Sequence, residues 1–333
     1  MSNLWAVILA AGEGKRMHSS LPKVLHTLCG KPMLQYILDS AAALTANIIV
    51  VVGHGASDVR GAVGERYLFA HQEQQLGTGH ALMQAADKLP DSGRILVLCG
   101  DTPLIDKQLL QKMVAEQGEN AATVAVTTLD NPEGYGRIIR NRDGVFSRIV
   151  EERDADRGEL SVKEINTGTY CFDLKLLKHY LPLLSAQNAQ QEYYLPDVLK
   201  LMLDDGHTVG TFSLEDSRIG LGINNRAQMA EAESLLRESI NRFHMLNGVT
   251  IRDPASTYID HGVKIGVDTL ILPGSILEGA TAVGSSCVIG PGTFIRDAVI
   301  EDGGTVAYSM VNNTTLPKGS RVGPFAQVGS LPY

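Results

Sequence analysis

Apolar residues follow two rhythms along this chain, and the rhythm changes near residue 226. From Leu4 to about Arg226, short β-branched runs alternate with longer segments of helical period. That alternation predicts a mostly parallel sheet covered by helices. The runs Ala6–Leu9, Ile48–Val52 and Arg94–Leu98 read most clearly as strands. Each ends in glycine or a short polar turn: Ala11-Gly12, Gly53-His54-Gly55 and Cys99-Gly100-Asp101. Ligands of an open α/β sheet bind beyond the carboxyl ends of its strands, so the residues after these runs are the first places to look for chemistry.

Between Arg226 and Leu246, the spacing of Met229, Ala232, Leu235, Leu236, Ile240 and Phe243 predicts one face of a connecting helix, broken by Asn247-Gly248. Beyond it a six-residue repeat sets in, with apolar residues at Ile265, Ile271, Leu277, Val283, Ile289 and Ile295. The frame slips by one at Ile300, continues to Val306, and resumes as Leu316, Val322 and Val328. A six-residue period is the signature of a hexapeptide β-helix, in which each coil has three short strands and each strand one inward apolar residue. Such a solenoid cannot bury its face in one coil, so the roughly four coils here need stacking or neighbouring chains. The expected architecture is a Rossmann-like α/β domain at 1–226 with a mixed, mostly parallel sheet. A linker helix at 227–247 and a short left-handed β-helix at 248–333 complete it.

At 333 residues the length suits two domains, each with its own core. Apolar content of 44%, charged content of 20% and a net charge of −8 describe a globular chain without the basic surplus that polyanions require, which argues against a nucleic-acid partner. The apolar run Leu4 to Ala11 lacks a basic flank and is too short for a bilayer, so it reads as a buried strand and no membrane role is expected. Cys29, Cys99, Cys171 and Cys287 are widely scattered, with no close pair to suggest zinc or a redox motif. Reduced thiols in a cytoplasmic protein are the expectation.

The richest chemistry follows the first strand, in Leu9-Ala10-Ala11-Gly12-Glu13-Gly14-Lys15-Arg16-Met17, with Pro22-Lys23 downstream. A strand entering a turn with Gly12 and Gly14 can present backbone N–H groups to an anion, phosphate above all. Arg16 and Lys23 bring a planar fork and a point charge to the same strand end, where they can offset charge on a phosphoryl group under attack. Glycines there also serve steric ends alone, and Arg16 and Lys23 could be plain surface cations. The segment is neither a Walker loop nor a dinucleotide fingerprint, since Gly-x4-Gly-Lys-Ser/Thr is absent and position 17 is Met. Asp101 ends a buried strand, which suits a hard cation that prefers oxygen ligands, though an Asp before Pro103 can also cap a helix. Glu151 lies with Glu152, Arg153 and Asp154 in a charge cluster that by itself reads as a solvated face. Asn224 alone reads as a turn residue.

The order Leu9-Ala-Ala-Gly12-x-Gly14-x-Arg16-Met17 with Pro22-Lys23 resembles the signature of the sugar nucleotidyltransferases. More closely, residues 4 to about 328 resemble the bacterial bifunctional N-acetylglucosamine-1-phosphate uridyltransferase/glucosamine-1-phosphate acetyltransferase family. Further segments carry the resemblance: Gln72 with Gln75–Ala81, Gly100–Leu104, Gly134–Ile138, Ile149–Glu151, Glu164–Gly168 and Asn224-Asn225. The resemblance implies that Leu9, Ala10, Ala11 and Gly12, with Gln72, Gly77 and Thr78, surround the uracil end of the nucleotide. It implies that Asp101 and Asn224 hold Mg2+, that Gly136, Glu151, Asn166 and Asn224 serve the sugar substrate, and that Arg16 and Lys23 face the phosphates as catalytic cations. The implied reaction joins UTP and N-acetylglucosamine 1-phosphate into UDP-N-acetylglucosamine and pyrophosphate, for cell-envelope precursors, with a homotrimer formed through the β-helix.

Two residues depart from the family pattern. Glu13 puts a carboxylate in the loop, and Cys99 stands where some members place a tyrosine near the sugar nucleotide. The chain stops at Tyr333, before the acetyltransferase histidine and coenzyme coils of the resembled family, so acetyl transfer is expected to be absent. Rival readings are another sugar or base, a sugar-nucleotide sensor that lost its chemistry, and a trimerisation protein built on the β-helix. Intact Arg16, Lys23, Asp101 and Asn224 argue against a sensor, and the first 226 residues argue against a purely structural role.

Overall fold

The computed structural model describes residues 3–330, so the expected domain bounds at 1 and 333 lie outside the described residues. Contacts divide the chain into two units at Arg226/Ala227, and the short segment Thr27–Lys31 belongs to the second unit. The first unit is built on a nine-stranded sheet. Leu4–Ala10 is central, flanked in parallel by Ile48–Val52 and Arg94–Cys99, with Leu68–His71 parallel at the edge. Beyond Arg94–Cys99, the long strand Glu164–Asp173 runs antiparallel, pairs antiparallel with Ala122–Thr128, and is followed outward by Val209–Ser213. Arg137–Arg140 and Phe146–Val150 form a small hairpin attached to Glu164–Asp173.

Both faces of this sheet are covered, which explains why its strands read as continuous apolar runs. Val7, Ile49, Val51, Ile95 and Val97 pack into one core, while the alternate residues Ala6, Ile8, Val50, Leu96 and Leu98 pack into the other. Side chains of successive strand residues point to opposite faces, so one run fills two cores. The parallel strands Leu4–Ala10, Ile48–Val52 and Arg94–Cys99 end together, bringing Ala11-Gly12, Gly53 and Gly100-Asp101 to one edge.

The second unit holds the helix Arg226–Leu246 and a solenoid of two- and three-residue strands. Three parallel ladders of five, five and four strands form its faces. Ile271, Leu277, Ile289, Ile295, Ile300 and Val306 point inward and are fully buried, as does Val311, which the repeat reading passed over. The slipped frame has a simple origin: one ladder's spacing shortens from 18 residues (Ile265 to Val283) to 17 (Val283 to Ile300) and 16 (Ile300 to Leu316). Corner hydroxyls satisfy carbonyls that turn inward, as where Ser275 Oγ donates to Leu272 O at 2.7 Å and Thr281 Oγ1 to Glu278 O at 2.6 Å.

The predicted face of the helix holds at Ala232 and Ile240 and needs correction at its C-terminal end. Phe243 is 62% exposed, whereas Ala232, Asn241 and His244 are buried. A polar residue can occupy a buried face when its donors are satisfied. Asn241 Nδ2 meets that condition by donating to the carbonyls of Pro254 at 3.0 Å and Thr257 at 3.1 Å. Among the described residues no helix is long and apolar enough to cross a membrane, and all four cysteines are free.

Candidate active site

The carboxyl edge of the first unit's sheet holds a cavity of about 260 Å³. Leu9, Ala10, Ala11 and Gly12 form one wall, and Gln72, Gly77 and Thr78 another. Lys23 and Asp101 also line it. The two loop glycines differ in kind. Gly14 sits at φ 63°, and a Cβ there would lie 2.6 Å from Lys23 Cβ, so only glycine permits both the turn and the close passage of the lysine stem. Gly12 has nothing within 4 Å of a Cβ position and no left-handed backbone. Its lack of a side chain leaves open space in front of the strand end.

Gln72 is buried, and its amide is held by Gly77 O at 3.1 Å and by His80 Nδ1 at 3.0 Å. The Gly77–Gly79 turn is clasped from outside: Gly79 N donates to Tyr193 O at 2.8 Å, Tyr193 N to Leu76 O at 2.8 Å, and Leu195 N to Thr78 Oγ1 at 3.1 Å. Gly77, at φ 100°, would set a Cβ 2.7 Å from Tyr193 O. That glycine is therefore demanded by backbone packing, whatever else the turn binds.

Four residues from separate segments meet at Lys23 and Asp101, two of the cavity's lining residues. Lys23 Nζ forms a short ion pair with Asp101 Oδ2 and lies 3.2 Å from Asn224 Oδ1, which also accepts from Arg16 Nη2 at 2.9 Å. Backbone geometry brings Asn224 there, since Ile223 N donates to Asp101 O at 2.9 Å. Asp101 caps no helix; the following helix, Lys107–Glu116, is capped by Asp106, whose side chain accepts from Leu109 N. One carboxylate and one amide carbonyl make an all-oxygen pair. That pair fits magnesium, which takes few protein ligands and fills its octahedron with phosphate and water.

A second group forms beside the first. Asn166 N donates to Gly136 O at 2.9 Å, and a Cβ on Gly136 would lie 3.1 Å from Glu151 Oε1, so Gly136, Glu151 and Asn166 are neighbours. The strand Glu164–Asp173 breaks register between Asn166 and Tyr170, with Gly168 at φ 76° inside the irregularity. Such breaks re-aim side chains. Here Asn166 Oδ1 accepts from Gly168 N at 2.9 Å while its Nδ2 donates to Tyr170 Oη at 2.7 Å. Cys99 Sγ donates to Gly168 O at 3.5 Å and so joins the two groups, and burial pushes its thiol up to about 12. Burial and the nearby Asp197, Asp154 and Glu192 push the Glu151 carboxyl up to about 7. Glu151 is half-buried. The neighbouring charges are real, but this member of the cluster is not a solvated one.

Glu13 stands apart from all of this. It pairs with Lys15 Nζ at 2.6 Å on the exposed rim, and that bond holds its carboxyl below the usual range. The sequence reading passed over Glu192 and Tyr135. Glu192 lines the cavity, with its backbone held on both sides by Asn188. Burial raises the Tyr135 phenol, with Asp101 adding to the rise and Arg16 opposing it. Tyr135 lay in a visible Gly-Tyr-Gly segment; Glu192, in Gln191-Glu192-Tyr193, carried no comparable signal.

Residues 6–188 match the model of the MobA-like NTP transferase domain. The "Bifunctional protein GlmU" of Bacillus velezensis is 45% identical over 332 residues, covering 98% of this chain and 73% of the relative. That of Thermoanaerobacter pseudethanolicus is also 45% identical, covering 98% and 72%. A solved structure from Bacillus anthracis, assigned as a glucose-1-phosphate thymidylyltransferase and containing sucrose, superposes with a TM-score of 0.57 at 21% identity. It covers 71% of this chain and 96% of that one, and speaks for the fold alone.

Proposed function

This chain belongs to the family of bifunctional GlmU proteins and carries an NTP transferase domain, and from that premise we propose how its cavity performs uridylyl transfer. The chain is a nucleotidyltransferase, an N-acetylglucosamine-1-phosphate uridyltransferase of peptidoglycan precursor synthesis. In the proposed reaction a phosphate oxygen of N-acetylglucosamine 1-phosphate attacks the α-phosphorus of UTP in line. The bond from that phosphorus to the oxygen bridging it to the β-phosphorus breaks, and pyrophosphate leaves with that oxygen. The nucleophile is already an anion, so no side chain has to remove a proton.

What the protein supplies is alignment and neutralisation. The backbone of Leu9–Gly12, with Gln72, Gly77 and Thr78, takes the uridine end. Gly136, Glu151 and Asn166, with Asn224, take the sugar. Arg16 and Lys23 stabilise the phosphate oxygens as charge redistributes. Asp101 and Asn224 would hold Mg2+, which when bound would supply further neutralisation of the phosphates. The observation that carries the reading is that Lys23 and Asp101 line the cavity walled by Leu9–Gly12, and that Asn224 bonds Lys23 and Arg16 beside them.

The test is a pyrophosphate-release assay with UTP and a panel of sugar 1-phosphates, with and without Mg2+. Release is expected with N-acetylglucosamine 1-phosphate and only with the metal; release preferring another sugar, or indifferent to metal, would count against the reading. We also propose a homotrimer through the β-helix. Tyr258, Ile276, Phe294 and Met310 stack along the outside of one ladder and offer it apolar surface. A monomer in sedimentation velocity at assay concentration would exclude it.

A further inference from the structure

The two oxygens suited to a divalent cation already carry a cation of the protein's own. Lys23 Nζ is paired with Asp101 Oδ2 and lies 3.2 Å from Asn224 Oδ1. Both members of the pair are well shielded, with 13% and 18% of their side chains exposed. An ammonium so placed satisfies a carboxylate that would otherwise be left largely out of water without a counter-charge. It also stands where a divalent ion on the same oxygens would stand, and two cations at that separation repel strongly.

Resting on the metal assignment above, we propose that Lys23 is the resident counter-ion of the cation site. Its ammonium leaves Asp101 for the nucleotide phosphates when the divalent ion arrives. The stem is built for a confined exchange. Lys23 Cβ is packed where Gly14 has no side chain, so the backbone end is fixed and only the outer bonds swing. Lys23 thus has two partners in turn, a carboxylate before substrate and phosphate after it. The lysine lowers affinity for the bare ion, because it must first give up a charge-assisted hydrogen bond. A triphosphate removes that penalty by offering the ammonium new acceptors. The exchange makes cation and nucleotide bind cooperatively, and it keeps Asp101 from holding a metal ion with no substrate beside it.

The experiment uses Mn2+ as the ion, with binding to the full chain followed by electron paramagnetic resonance. Without nucleotide, Lys23→Met is expected to bind Mn2+ about tenfold more tightly than wild type, the size of one charge-assisted hydrogen bond no longer given up. Adding UTP should erase that advantage. Mn2+ affinity in Lys23→Met equal to or weaker than wild type overturns the exchange. Asp101→Asn separates this failure from failure of the metal assignment: if it leaves Mn2+ binding with UTP intact, the assignment itself is wrong. A second measurement needs no folded variant. Labelling of wild-type Lys23 by an amine-reactive reagent, read by mass spectrometry, should rise several-fold with Mn2+, and unchanged labelling at saturating Mn2+ also overturns the proposal.

Discussion

The group at Lys23 and Asp101 and the Gly136–Glu151–Asn166 group lie side by side but are built by opposite means. Arg16, Lys23, Asp101 and Asn224 come from four segments and meet through the tips of polar side chains, with Arg16 largely in solvent. Gly136 and Asn166, which Glu151 adjoins, are set by backbone: a strand irregularity, a main-chain bond from Asn166 N to Gly136 O, and an amide fixed at both ends. Tips can be exchanged or redirected without disturbing the sheet, whereas a group set by backbone ties binding to stability. On the proposed reading, the cluster that handles moving charge is the adaptable one and the cluster that recognises the sugar is the rigid one.

The largest expected effect is a loss of chemistry without a loss of fold. Arg16→Ala should lower turnover by about 10²–10³, as removal of one electrostatic donor does elsewhere. Thermal stability should stay near wild type, because the Arg16 side chain is exposed. Near-normal pyrophosphate release would remove Arg16 from the chemistry, and a large fall in Tm would erase the contrast between the groups.

Glu151 tests the rigid side. Its carboxyl titrates near 7 instead of its ordinary value near 4.5. Between those values the folded protein keeps a proton that the unfolded chain has lost, so this group subtracts stability as pH rises through that window. Glu151→Gln should therefore melt like wild type near pH 4 and above it at pH 8. The gap should be on the order of 1 kcal/mol after allowance for partial exposure. The same variant should raise the KM for the sugar phosphate about tenfold, as expected when a hydrogen bond to a charged partner is lost. Parallel pH profiles of Tm for the two proteins would show that Glu151 is not held in this environment. The smallest effect is expected at Glu13→Ala. Its pair with Lys15 lies on the exposed rim, and turnover should stay within about twofold because solvent screens such pairs. A larger change would place Glu13 against the triphosphate after all.

Much of the fold was legible. Ile48–Val52 was read to the residue, and the inward positions of the solenoid from Ile271 to Val306 were read correctly, because burial imposes a fixed period on apolar residues. The helix Arg226–Leu246 was found with Ala232 and Ile240 on its inner side, but Phe243 is exposed and Asn241 and His244 are buried in its place. Asn241 is interior with its Nδ2 bonded to the carbonyls of Pro254 and Thr257, and no hydrophobicity pattern records such donor bonds. Glu192 was missed for a related reason. It reaches the cavity through main-chain pairing of Tyr193 with Leu76 and Gly79, and such pairing leaves little trace in residue type.

The sequence by itself determined the two rhythms, the strand-end loop with its cations, and the ordered motifs that point to a family. Those are matters of local period and residue type, which a linear chain records directly. Only the tertiary structure decided that Lys23 rests on Asp101, that Gly14 exists to let that lysine pass while Gly12 leaves open space, and that Glu13 faces away to Lys15. Position 23 and position 101 meet because the strands Leu4–Ala10 and Arg94–Cys99 lie side by side and end together. Distance along the chain carries no information about that neighbour; the sheet register does.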